Sequence, residues 1–199
     1  MICDERVRQR AIAQVFDSAI LGASTMTGVV NLRKAIHCLS ITTMTMMSTP
    51  VVLAMDAACS PLIEASEAKV AQSAWHAVSQ IDDFRSEVIK AEGKFYMFLN
   101  DQWIVAPMNM DEVERETIAS MQSGKIKVTG CQTAGSEIID GVETSVLIYT
   151  VELPGSGIPA AQTRINLGVA DKLPYKQGSA AGETKQSTTY RYIGVKPPM

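Results

Sequence analysis

The stretch from Arg33 to Cys59 decides how much of this chain takes part in its fold. Arg33 and Lys34 are followed by a moderately apolar run from Ala35 to Ala54 and then by small residues up to Cys59. A basic start, an apolar middle and a small-residue cut site are the parts of a secretory signal peptide. Val52 and Ala54 place the cut after Ala54, so that Met55 opens the mature chain. A cut after Ala58 would put Asp56 three residues before the bond, and Cys59 lacks the leucine at that position that marks a lipid-modified cysteine. About 20 apolar residues can also span a bilayer. Here Thr42, Thr43, Thr45, Ser48, Thr49 and Pro50 dilute the run below spanning hydrophobicity. The sequence therefore predicts a signal peptide over 26–54, a periplasmic or secreted product, and no stable membrane span after processing. Residues 1–25 carry Asp4, Glu5, Arg6, Arg8, Arg10 and Asp17 ahead of a compact start at Met26, and read as a non-native or disordered extension. The competing reading of that extension is an amphipathic helix using Val7, Ala11, Ile12, Val15 and Ile20.

Processing leaves 55–199 as a single domain with enough chain for one hydrophobic core. The leader removes three acidic and five basic residues, so of 21 acidic and 18 basic residues 18 and 13 remain, a net charge of −5. Phosphate backbones and anionic lipid surfaces are bound by clustered Lys and Arg, which this domain lacks, so nucleic acid is not an expected partner. Cys3 and Cys38 leave with the leader, and Cys59 and Cys131 remain as the only pair in an oxidising compartment. They predict a disulfide. The competing reading, a reactive thiol, has no neighbouring Cys or basic activator to support it.

Ser60 and Pro61 read as the cap and first residue of a helix. Leu62, Ile63, Val70 and several alanines give it a modest apolar face, and it should end before Trp75. From Trp75 onward the residues favour strands. Segments 94–99 and 102–106 flank Asn100-Asp101, and 136–139 and 142–153 flank Asp140-Gly141, which are two-residue hairpin turns. Asn109 and Glu112 form a capping box for a short surface helix with Met110, Val113, Thr117, Ile118 and Met121 on one side, stopped by Gly124. Further strands are predicted over 125–132, 163–169, with Ile165, Leu167 and Val169 on one face, and 187–196; 155–159 and 178–182 read as loops. The run from Ser145 to Val151 is apolar on both faces, which predicts a central strand covered on two sides. The fold class is α+β: a curved antiparallel β-sheet, a half-barrel-like meander, packed on an N-terminal helix with one short inserted helix.

Catalytic chemistry is sparse. His76 is the one histidine of the mature chain; a packed or surface role competes with general acid–base work in a hydrolase, and no nucleophile adjoins it. Asp111, Glu112, Glu114 and Glu116 suit a helix N-terminus and a solvated face rather than a metal site, and Asp82-Asp83 reads as a turn. No phosphate loop, nucleophile elbow or zinc-protease helix occurs, so no catalytic, cofactor-binding or metal-binding residue is assigned. Aromatic and soft apolar residues concentrate in one hairpin, where Phe95, Met97, Leu99 and Trp103 are the candidate apolar ligand surface, with a packed core as the plainer reading.

The order Cys59, Tyr96 and Trp103, Cys131, Glu137 before Gly141, Leu173-Pro174 and Tyr190-Arg-Tyr192 resembles an uncharacterised family of secreted bacterial proteins. A helix followed by a curved antiparallel sheet also resembles the lipoprotein-carrier (LolA-like) half-barrel, which holds acyl chains. The resemblance implies a non-enzymatic envelope protein whose partner is a lipid, another apolar small molecule or an envelope protein.

Overall fold

The computed structural model describes residues 55–198 other than 183; the expected extension over 1–25 and signal peptide over 26–54 lie outside the described residues. The described chain runs through a 3₁₀ turn (Ala57–Cys59), α1 (Ser60–Val70), β1 (Trp75–Ile81), β2 (Phe84–Ala91), β3 (Lys94–Leu99), β4 (Gln102–Val105), α2 (Met110–Gln122), β5 (Lys127–Ile139), β6 (Val142–Glu152), β7 (Ala161–Gly168), β8 (Pro174–Ala181) and β9 (Thr184–Arg191). The nine strands form one antiparallel sheet in the order β4-β3-β2-β1-β9-β8-β7-β6-β5. It is two meanders joined where β1 pairs with β9, and it stays unclosed because β4 and β5, adjacent in the chain, occupy opposite edges.

Local sequence explains most of this. Asn100-Asp101 and Asp140-Gly141 both have positive φ at each central residue, the twist that suits a two-residue hairpin. Asn109 Oδ1 accepts from the Asp111 N–H at 3.0 Å and caps α2. Register shifts at Thr129/Gln132 and Thr133/Ser136 in β5, and at Asn166/Leu167 in β7, bend this half of the sheet into its curve.

Several expectations need correction. Ser60 is not the cap of α1: Asp56 caps a 3₁₀ turn that runs straight on, so Ser60 is already helical and Pro61 lies in the first turn. Residues 178–181 are not loop but the second half of β8, because β7 and β9 pair with them on both sides despite their small side chains. β7 stops at Gly168, leaving Val169 46% exposed rather than packed with Leu167. The last strand ends at Arg191 instead of 196. The run from Ser145 to Val151 is indeed covered on both sides at Val146 and Leu147, but β6 is the penultimate strand rather than a central one. The short inserted helix α2 is as expected, with Ile118 its one buried residue, and it bridges from the β4 edge to the β5 edge over the same sheet face as α1.

The helices run side by side in opposite directions across that face. Leu62 and Ala65 of α1 meet Val128, Leu147, Tyr149, Ile165 and Leu167 in one apolar cluster, with Met121 at the end of α2. The start of α2 packs at the other cluster, where Met110 and Ala106 join Trp75, Ala77 and Phe95. Cys59 and Cys131 form a disulfide with Cα atoms 5.2 Å apart, tying the start of α1 to β5.

Candidate functional site

Strand register assigns each candidate residue to a face. Trp75 pairs with Lys90, Lys90 with Phe95, and Met97 with Ile104, so odd-numbered residues of β1 and β3 and even-numbered residues of β2 and β4 share the helix side. The two helices cover only one end of that side. There Phe95 is buried, Lys90 Nζ lies 2.6 Å from Asp111 Oδ2, and the same ammonium donates to the Val70 carbonyl at 2.9 Å. One buried lysine thus holds the C-terminus of α1 and the N-terminus of α2 onto β2, and a cation is favoured at a helix C-terminus.

A second lysine completes the junction. Lys69 Nζ donates to Glu114 Oε2 at 2.7 Å and lies over the rings of Trp75 and Tyr190, at 5.9 and 5.4 Å from their centroids. Burial opposes its charge, but Tyr190 and Glu114 outweigh that and raise its pKa above the ordinary lysine value. Glu114 and Asp111 are therefore not part of a solvated face; Glu112 and Glu116 are.

Toward the other end of β1–β4 the cluster under the described helices gives way to more exposed side chains. Ile81, Met97 and Leu99 are half-buried, while Phe84 and Ile104 are 49% and 40% exposed. These five side chains share the helix side, where Ser79, Ser86 and Gln102 lie between the Ile81–Phe84 pair and the Met97–Ile104 pair, so the strip is apolar with a small polar row across it. On β9 and β8 the same face turns polar at Thr188, Gln186, Gln177 and Ser179, which bounds the strip. The grouping of Phe95, Met97, Leu99 and Trp103 is thus divided: Phe95 is part of the covered end, Met97 and Leu99 lie in the strip, and Trp103 pairs with Phe98 on the opposite face. The two-residue turn at Asn100-Asp101 fixes that pairing, so the signal was present in the turn length. Phe84, Ile81 and Ile104 were missed because each sits beside a turn or a strand end.

On the opposite face, which among the described residues is helix-free, the His76 ring lies 6.4 Å from that of Trp103, and Phe98 and Trp103 are 5.4 Å apart. His76 Nε2 and Glu87 Oε2 share a hydrogen bond at 2.8 Å, and Arg85 donates to the other carboxylate oxygen at 2.8 and 3.0 Å. Burial would raise the Glu87 pKa, but Arg85 and His76 overcome it and hold the carboxyl below its usual range. Elsewhere on this face Asn166 donates to Glu137 and to the buried Thr144 hydroxyl, a closed structural network. Solvent-open depressions among the described residues include one of about 400 Å³ over Ile148, Arg164, Gly178 and Lys185, and one of about 440 Å³ beside Asp82, Asp83 and Lys185. Among the described residues no helix is long and apolar enough to cross a membrane.

No family model matches the sequence, and no curated protein matches it. Solved structures align with it at low identity. The lipoprotein LppX of Mycobacterium tuberculosis is 14% identical, with 70% of this chain and 97% of that one aligned at a TM-score of 0.49. LprF of Mycobacterium bovis is 11% identical over 71% of this chain and 96% of that one, with a TM-score of 0.48. A LolA superfamily protein of Nitrosomonas europaea is 13% identical over 71% and 94%, with a TM-score of 0.30.

Proposed function

We propose that the chain is an exported, non-enzymatic binding protein of the cell envelope that holds an apolar ligand, such as a lipid acyl chain, along the strip of Ile81, Phe84, Met97, Leu99 and Ile104. The observation that carries this reading is the uneven cover of one sheet face: two helices seal one end and leave these apolar side chains half-exposed at the other. A hydrocarbon chain laid there gains about 25 cal/mol for each Å² of apolar surface it removes from water. The polar band on β8 and β9 would keep such a chain on β1–β4. A disulfide between Cys59 and Cys131 supports an oxidising compartment, since such bonds persist outside the cytosol.

Native mass spectrometry of protein extracted gently from its source tests the reading. Co-purified lipid or another apolar molecule supports it, and a ligand-free protein that retains a protein partner instead replaces it with a protein-binding role. His76→Ala separates this from a hydrolase: ligand retention stays unchanged under the binding reading, since His76 is on the opposite face.

A further inference from the structure

Among the described residues the sheet has two edges with no neighbouring strand, β4 and β5, and they are built differently. β5 spans 13 residues, is broken by two register shifts, and carries Lys127, Glu137 and two positive-φ glycines, Gly130 and Gly135. Charges, bulges and kinks of this kind are how proteins keep an edge strand from pairing with another chain. β4 lacks all three, and its one protection of this sort is its length of four residues. Gln102-Trp103-Ile104-Val105 has no charge, proline or bulge, and Val105 is 61% exposed.

The direction of its backbone groups follows from the ladder. The Ala106 N–H donates to the Phe95 carbonyl at 2.8 Å, so Phe95 and Ala106 are a hydrogen-bonded pair. Pairs alternate along an antiparallel ladder, so Ile104 and Gln102 bond inward to β3. The N–H and C=O groups of Trp103 and Val105 point out from the sheet edge.

We propose that the β4 edge pairs with β4 of a second copy of this chain, antiparallel about a two-fold axis at Ile104. In that alignment Trp103 of each copy exchanges both backbone bonds with Val105 of the other, so the four outward groups on each strand are satisfied. Ile104 meets its own counterpart as a non-hydrogen-bonded pair. An isologous contact sets like residues near one another, and the absence of any charge in β4 removes the repulsion that would oppose it. Both sides of the strand also match: Trp103 and Val105 cover each other on the helix-free face, while Ile104 and its counterpart meet on the helix side. The pairing stands independently of any ligand.

Cysteine trapping reads the register. Non-hydrogen-bonded partners have Cα atoms about 4.5 Å apart, inside the range a disulfide bridges, so Ile104→Cys should form an intermolecular disulfide on mild oxidation. Gln102→Cys is displaced from its own counterpart by about 13 Å along the strands and should cross-link no more than the parent protein. Light scattering on the parent should give the mass of a dimer. Val105→Pro removes an outward N–H while leaving the β3 ladder intact, a change edge strands tolerate, and should give a monomer with unchanged circular dichroism. A monomeric parent, or equal cross-linking at positions 102 and 104, overturns the proposal. If Val105→Pro fails to fold, the cysteine pair still decides.

Discussion

The two halves of the sheet keep their helices by different means. Over β5–β7 the cover is covalent and apolar: a disulfide at Cys59 and a cluster in which Leu62, Leu147, Ile165 and Leu167 are each at most 6% exposed. Over β1–β4 a smaller apolar cluster at Trp75, Ala77 and Phe95 is joined by two lysines, Lys69 on Glu114 and Lys90 on Asp111, with no covalent tie, and Phe84 and Ile104 stay exposed beyond it. A sheet secured at one side and clipped electrostatically at the other can leave apolar surface open without losing the fold. Stability belongs to the first half, and the surface available for binding to the second.

Removing the staple attacks the first half directly. Cys59→Ala with Cys131→Ala frees a loop with a sequence separation of 72, which in the chain-entropy model costs about 4 kcal/mol. Urea unfolding should show this as a lower midpoint with a steeper slope, because the unlinked unfolded chain exposes more surface. Reduction of the parent protein should reproduce it.

Cutting the clip tests the second half. Lys90→Ala strands the Asp111 carboxylate and the Val70 carbonyl together, and breaking such a pair costs about 3 kcal/mol. Hydrogen exchange should rise at the α1–α2 junction while Val146 and Leu147 keep their protection. Uniform loss of protection would show that the two halves are not separable.

The division between halves was only partly legible in the sequence. Hairpin turns, the capped second helix and the cysteine pair were readable because each is fixed by residues a few positions apart or by simple elimination. The strand at 174–181 was hidden because Gly178, Ser179 and Ala180 have no apolar alternation of their own and owe their conformation to neighbours on both sides. Lys69 and Lys90 gave no signal, since their partners are 45 and 21 residues away. The candidate site was half legible: Met97 and Leu99 alternate visibly, but which end of their face the helices would leave open is a tertiary outcome.

A smaller effect concerns the helix-free face of β1–β2. Glu87 has its pKa lowered on folding, so its contribution is fully present above the ordinary glutamate value of 4.5 and is lost as pH falls through the lower folded value. Glu87→Gln should therefore lower stability near neutral pH slightly, by less than about 1 kcal/mol for so small a network, and flatten the acid limb so that variant and parent converge at low pH. Thermal unfolding across pH 3 to pH 7, taken as an order-of-magnitude window around carboxylate titration, would show it.

The central claim, that the open strip of β1–β4 binds an apolar chain, is tested most directly by titrating a fluorescent fatty-acid analogue into the parent protein and into Leu99→Asp. Leu99 is half-buried at the open end, so the substitution should cost little stability while placing a charge in the path of the chain. The account predicts saturable binding to the parent and at least a tenfold weaker affinity for Leu99→Asp, with the same circular dichroism. Equal binding to both, or none to the parent after delipidation, would contradict it.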